Sequence, residues 1–82
     1  MPDETVDDMK LFPNPAFDIL MVEIEKPDNA IIEIYTISGN RIFSKAVQSS
    51  AEIINLSDFS TGLYLVKVKQ GGSVMVGKVA VK

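Results

Sequence analysis

The chain contains no cysteine, no histidine and no tryptophan. Without cysteine there is no disulfide and no thiol nucleophile. Without histidine the commonest metal ligand and the commonest general base are both missing. Serines and threonines are present, but no His or Cys stands by to activate or replace them, which excludes the usual nucleophilic triads. Carboxylate pairs remain the one acid–base option. Most of the acids, however, lie in the first nine residues or on the outer face of one strand, and a chain of 82 residues leaves little room for a deep cleft. Asp3, Asp7 and Asp8 lack the spacing of a known calcium loop and read as a solvated acidic stretch. These absences point away from an enzyme, and no metal or other cofactor is expected. No apolar run approaches the roughly 20 residues of a membrane helix. Met1-Pro2-Asp3-Glu4 also lacks the basic start and apolar stretch of a signal peptide.

What is present is a foldable apolar fraction of 46%, enough for one small domain and too much for a disordered chain. At this length about 60–65% of the unfolded surface can be buried, so the core is thin. Charge is uneven. Residues 1–33 hold nine acids and two bases, whereas residues 34–82 hold two acids and six bases. The bases fall on alternating positions, as on a solvated sheet face that the acidic half can partner across strands. They are not interleaved with aromatics as a stacking platform for bases would require, so no nucleic-acid partner is expected.

Residues 1–9 read as an acidic linker with almost nothing to bury. From Lys10 the period becomes two. Lys10-Leu11-Phe12 is a short strand that Pro13 must end, and Pro13-Asn14-Pro15 forms a stiff turn with Phe12 at its entrance. Asp18 to Glu25 alternates as a strand, with Leu20, Val22 and Ile24 on one face. Lys26-Pro27-Asp28-Asn29 is a turn. In Ala30 to Ile37, Ile32 and Ile34 face the core and Ile31, Glu33 and Tyr35 face away. Ser38-Gly39-Asn40 makes a tight connection in which Gly39 supplies positive φ. Arg41 to Val47 returns with Ile42 on its inner face. Glu52 to Leu56 is a further short strand, and Ser57 to Thr61 is an irregular turn closed by Gly62. Leu63 to Lys69 alternates most clearly, with Tyr64, Val66 and Val68 on one side. Gly71-Gly72-Ser73 turns the chain into Val74 to Lys82, where Val79 and Val81 point inward and Lys78 and Lys82 outward. Six or seven short strands with turn signals between them, and no sustained helical spacing, predict an all-β fold. The expected form is a small antiparallel β-sandwich of immunoglobulin-like type.

Four ordered segments carry a family resemblance over residues 10–82. They are Leu11-Phe12-Pro13-Asn14-Pro15-Ala16, Ile32 to Ser38-Gly39-Asn40-Arg41, Ile54-Asn55-Leu56-Ser57 with Gly62 and Tyr64-Leu65-Val66, and Gly77-Lys78-Val79-Ala80-Val81. In this order and spacing the chain resembles the C-terminal sorting domain of the type IX secretion system of Bacteroidetes. One departure is Asn40, where an arginine is common after the glycine; Arg41 stands next to it.

The resemblance implies a non-catalytic secretion signal that follows an N-terminal cargo domain. Its partners would be the outer-membrane translocon and a surface sortase that cuts upstream of Leu11. The cargo would end in the medium or at the cell surface, reached through the periplasm and outer membrane. On that reading Met1 is an added start and any leader lies at the far end of the parent. The candidate sorting residues are Pro13, Asn14, Pro15, Gly39, Gly62, Tyr64 and Lys78. Each also has a plain structural role. The prolines stiffen a turn, the glycines satisfy the backbone, Tyr64 sits in the core with its hydroxyl at the rim, and Lys78 guards an edge strand. That last strand is open to strand addition by a partner or by another copy. A second reading is a β-sandwich adhesion or carbohydrate-binding module, with Tyr35 and Phe43 as outward aromatics.

Overall fold

The computed structural model describes residues 4–6, 9–13, 15–25 and 29–82. They form eight strands: β1 (Glu4–Val6), β2 (Met9–Phe12), β3 (Ile19–Ile24), β4 (Ala30–Thr36), β5 (Arg41–Ala46), β6 (Ala51–Asn55), β7 (Gly62–Gln70) and β8 (Ser73–Val81). One sheet has the order β1-β2-β3-β6 and the other β5-β4-β7-β8. All pairings within the sheets are antiparallel. The all-β sandwich expected from the alternation is therefore what forms, with one strand more than the six or seven expected. The extra strand, β1, lies where the sequence reads as an acidic linker, paired through Glu4–Leu11, Thr5–Lys10 and Val6–Met9. Met9, at the boundary, is buried. Backbone hydrogen bonding to β2 orders β1 even though the segment is acidic.

The core is one layer of side chains between the sheets. Leu11, Leu20, Val22, Ile24 and Ile54 come from one sheet, and Ile32, Ile34, Val66, Val68 and Val79 from the other; all are buried. They sit at alternate positions because successive side chains of a strand point to opposite faces. The inward sets expected for β3, β4, β7 and β8 are the ones observed.

Strand β5 departs from expectation. The ladder between β4 and β5 slips between Ile34 and Tyr35, so Ile34 pairs with Phe43 while Tyr35 pairs with Arg41. This extra residue shifts the alternation by one. Ile42, expected inside, is 46% exposed. Phe43, expected outside, packs against the core and lies 6.5 Å from the Phe59 ring.

The slip also turns Lys45 inward, opposite the buried Ile32. Glu52 of β6 stands opposite the buried Val22 and is itself 6% exposed. Their ion pair bridges the two sheets at the β5/β6 margin, Nζ to Oε1 at 2.8 Å. The second oxygen, Oε2, accepts the backbone N–H groups of Gln48 at 2.7 Å and Ser49 at 3.0 Å. One carboxylate thus holds the β5–β6 connection and closes the margin of the sandwich. A buried charge is tolerable here because Lys45 and two backbone N–H groups satisfy the carboxylate.

In two turns a glycine supplies left-handed backbone. Gly39, at φ 99°, closes the β4–β5 hairpin, with its N–H donating to the Thr36 carbonyl at 2.9 Å. Gly71, at φ 58°, closes the two-residue β7–β8 hairpin between Gln70 and Ser73. In both places a side chain would be strained. Gly62 has φ 157°, near extended backbone, and opens β7 opposite Val81.

Truncation should separate the two faces of a strand. Leu20→Ala is expected to cost about 2–5 kcal/mol, as buried leucines do, and Ile53→Ala on the outer face less than about 0.5 kcal/mol. Urea unfolding followed by circular dichroism checks this; equal losses at the two sites would contradict the assigned layer.

Candidate functional site

The punctuated segments converge. Pro13 and Pro15 flank the exit from β2, and the Phe12–Pro13 bond is cis. The chain then reaches across to the other sheet, where Ala16 forms an isolated parallel bridge with Val81. Its N–H donates to the Ala80 carbonyl at 2.7 Å, and its carbonyl accepts the Lys82 N–H at 2.9 Å. Ala16 is fully buried, and this clasp sits on the side of β8 away from β7 and ties the two sheets together. The Ala16 methyl is part of the hydrophobic core. The connection is tied again at Asp18, whose carbonyl accepts the Leu56 N–H at 2.8 Å.

Val81, held by Ala16 on one side, pairs with Gly62 on the other. One step along, Val79 pairs with Tyr64 and Tyr64 with Thr36. Thr36 in turn carries the Gly39 turn. Residues scattered over most of the sequence therefore meet at one end of the β5-β4-β7-β8 sheet. The Tyr64 ring is buried, and its hydroxyl donates to the Ser60 carbonyl at 2.6 Å. Phe59 meets it edge-on at 5.3 Å. A tyrosine that bonds a carbonyl a few residues upstream is the corner device of immunoglobulin-type sandwiches. Lys78 lies on the outer face of the same sheet, opposite Leu65, and is exposed. Asn14 lies outside the described residues.

On that outer face, sequence reasoning missed one feature. Glu33 points away from the core as expected, yet it is only 4% exposed. Oε1 accepts from the Tyr35 hydroxyl at 2.8 Å and from Lys69 Nζ at 3.1 Å. Oε2 accepts from Arg41 Nη1 at 3.0 Å. Lys67 Nζ lies 4.6 Å from the centre of the Tyr35 ring. The bond from Tyr35, together with Lys69 and Arg41, holds the Glu33 carboxyl below its ordinary value, and that same bond holds the Tyr35 phenol above its own. Lys45 and the loop N–H groups likewise lower Glu52. Only the register could have revealed the Glu33 cluster, because its bases come from two different neighbouring strands.

The geometry removes the platform that the second reading required. Phe43 is turned to the core and the Tyr35 ring is covered by Lys67. Among the described residues no group of three or more acidic side chains is placed to hold a metal ion.

The profile of the secretion system C-terminal sorting domain matches residues 10–82. The chain belongs to this family. Sorting domains of this kind serve type IX secretion and are not catalytic. An endo-acting ulvan lyase of Formosa agariphila is 31% identical over 62 residues, which are 74% of the present chain. Those residues are 12% of the lyase, so the chain spans about an eighth of that relative. A solved protein from Bacteroides vulgatus with an immunoglobulin-like β-sandwich fold superposes with a TM-score of 0.80 at 16% identity, covering 98% of the present chain and 97% of its own. That likeness bears on the fold. The sorting domain is thus a secretion signal borne by a cargo protein, and it implies export to the cell surface or the medium.

Acid should destabilise the sorting domain through Glu33 and Glu52. Both carboxyls titrate lower when folded, so the unfolded chain binds more protons in acid. Their contribution is complete above the unfolded glutamate value of about 4.3 and is lost as pH falls through the lower folded values. Tm measured from pH 7 to pH 2 should fall below about pH 4.5, and less steeply in Glu33→Gln/Glu52→Gln, which is also less stable at pH 7. An unchanged acid limb in the double variant would contradict the assignment.

Proposed function

We propose that the folded sandwich directs the cargo ahead of it through the type IX outer-membrane translocon. A surface sortase then removes the domain, and the cargo is released or retained at the surface. The observation that carries this reading is the family match over residues 10–82. The convergence of Pro13, Pro15, Gly39, Gly62 and Tyr64 on one end of a sheet supports a folded signal over a linear one. Their direct part is to build that end. Lys78, exposed beside it, is the candidate for direct contact. The cut lies upstream of Leu11. Because β1 pairs with β2, a cut ahead of Glu4 leaves both sheets whole.

The test is a periplasmic reporter carrying the full 82-residue chain at its C-terminus. It should reach the surface of type IX-competent cells and stay in the periplasm of cells lacking the translocon. Removing Gly62 to Lys82 deletes β7 and β8, half of one sheet, and should abolish export. Export that survives this deletion, or periplasmic retention of the intact fusion in both strains, would refute the reading.

A further inference from the structure

The two outer sheet faces differ in charge. On the β1-β2-β3-β6 face, Lys10 and Glu23 stand opposite one another in the register. The β5-β4-β7-β8 face carries Arg41, Lys67, Lys69 and Lys78, half of the eight bases in the chain, and one of its eleven acids, Glu33. That acid is already engaged by Arg41 and Lys69. On the strands of this sheet the bases therefore outnumber the acids four to one across that face.

The same face also exposes apolar side chains. Ile31, Leu63, Val74 and Val76 are 39–55% exposed on it. The register interleaves them with the bases: Ile31 with Lys69 and Val74, and Lys67 with Val76. Contiguous exposed apolar patches rimmed by polar residues mark interaction surfaces, and Val74 and Val76 lie side by side on β8 with Ile31 one strand beyond Lys69. Strands of six to nine residues at about 3.4 Å each, in four rows about 4.8 Å apart, make a face of up to about 30 by 15 Å. About 450 Å² suits a transient contact, since stable complexes bury about 800 Å² per partner. A signal that must be handed on and released needs that kind of contact.

We infer that this face, resting on the sorting role proposed above, is the surface by which the domain docks onto an acidic protein partner of the export machinery. Charge complementarity selects an acidic partner. Glu33 positions the cations: it draws Arg41 from β5 and Lys69 from β7 onto one plane, while Tyr35 seats Lys67. A nucleic acid would want aromatic faces for stacking, and the Tyr35 ring is occupied by Lys67. A membrane would want protruding aromatic anchors, and among the described residues the only aromatic on this face is Tyr35, whose ring lies under Lys67.

The experiment uses the same reporter fusion with four sets of substitutions. Lys67→Glu/Lys78→Glu reverses charge, Lys67→Gln/Lys78→Gln removes it, Val74→Ser/Val76→Ser removes the apolar component, and Met21→Ser/Ile53→Ser alters the opposite face. Thermal melts of the purified variants establish which are folded; should the reversed pair unfold, Val74→Glu on the same face replaces it. The expected result is a loss of surface reporter of tenfold or more on charge reversal. Neutralisation and the serine pair should give smaller losses, and the opposite face none. Wild-type export with an undiminished charge-reversed variant overturns the docking face and leaves the sorting role standing. Equal losses from both faces overturn it too. Failure of the wild-type fusion itself overturns the sorting role and, with it, this inference. Co-sedimentation of the purified domain with phosphatidylglycerol vesicles, abolished by Lys67→Glu/Lys78→Glu, would assign the face to a lipid surface and overturn the acidic protein partner.

Discussion

The sorting domain has a single layer of side chains to bury, and everything else in it follows from keeping that layer dry. Each sheet contributes one face, and strict alternation decides which side chains belong to it. The layer has open margins where the two sheets meet, and each margin is closed by a specific contact. At β5 and β6 the Lys45–Glu52 pair spans the gap and Glu52 caps the adjoining loop. Opposite, the Ala16 clasp lies on the edge of β8. The clasp uses backbone groups and a methyl, and the ion pair uses a carboxylate surrounded by donors. Both devices let a small chain close its core without a disulfide.

This arrangement connects the motifs to function through structure. Proline, glycine and tyrosine at the converging end each satisfy a local need: a directed exit from β2, a left-handed turn, a hydroxyl bonded to a carbonyl. Together they fix where β8 lies, and β8 supplies Lys78 and the exposed valines of the outer face. On the proposed reading the motif residues build the scaffold, and the surface they hold in place is what a partner meets. Edge protection follows too. Ala16 occupies the last positions of β8 that a foreign strand would otherwise use, which favours recognition by face over recognition by strand addition.

Much of this was legible in the sequence. Leu20, Val22 and Ile24, then Tyr64, Val66 and Val68, declared their faces because period two needs only local information. Gly39 and Gly71 declared their turns for the same reason. What escaped was non-local. The slip between Ile34 and Tyr35 exchanged the places of Ile42 and Phe43, and nothing in the residues themselves marks a bulge there. Strand β1 was hidden because an acidic segment has no apolar alternation and is held through its backbone. The Glu33 cluster and the Lys45–Glu52 pair depend on which strands become neighbours. The crossover order β5-β4-β7-β8 brings Arg41 and Lys69 to Glu33 from opposite sides. Ala16 carried no local signal beyond closing the Leu11 to Ala16 segment, yet the two sheets are joined through it.

The central claim is that the folded sandwich is read from the outer face of one sheet. Site-specific photo-crosslinking in living type IX-competent cells tests it most directly. A photoreactive residue at Leu63, on the basic outer face, should yield an adduct with an outer-membrane translocon protein, and the same residue at Ile53, on the opposite face, should not. An adduct from Ile53 alone, or from neither position while the fusion is exported, would contradict the account.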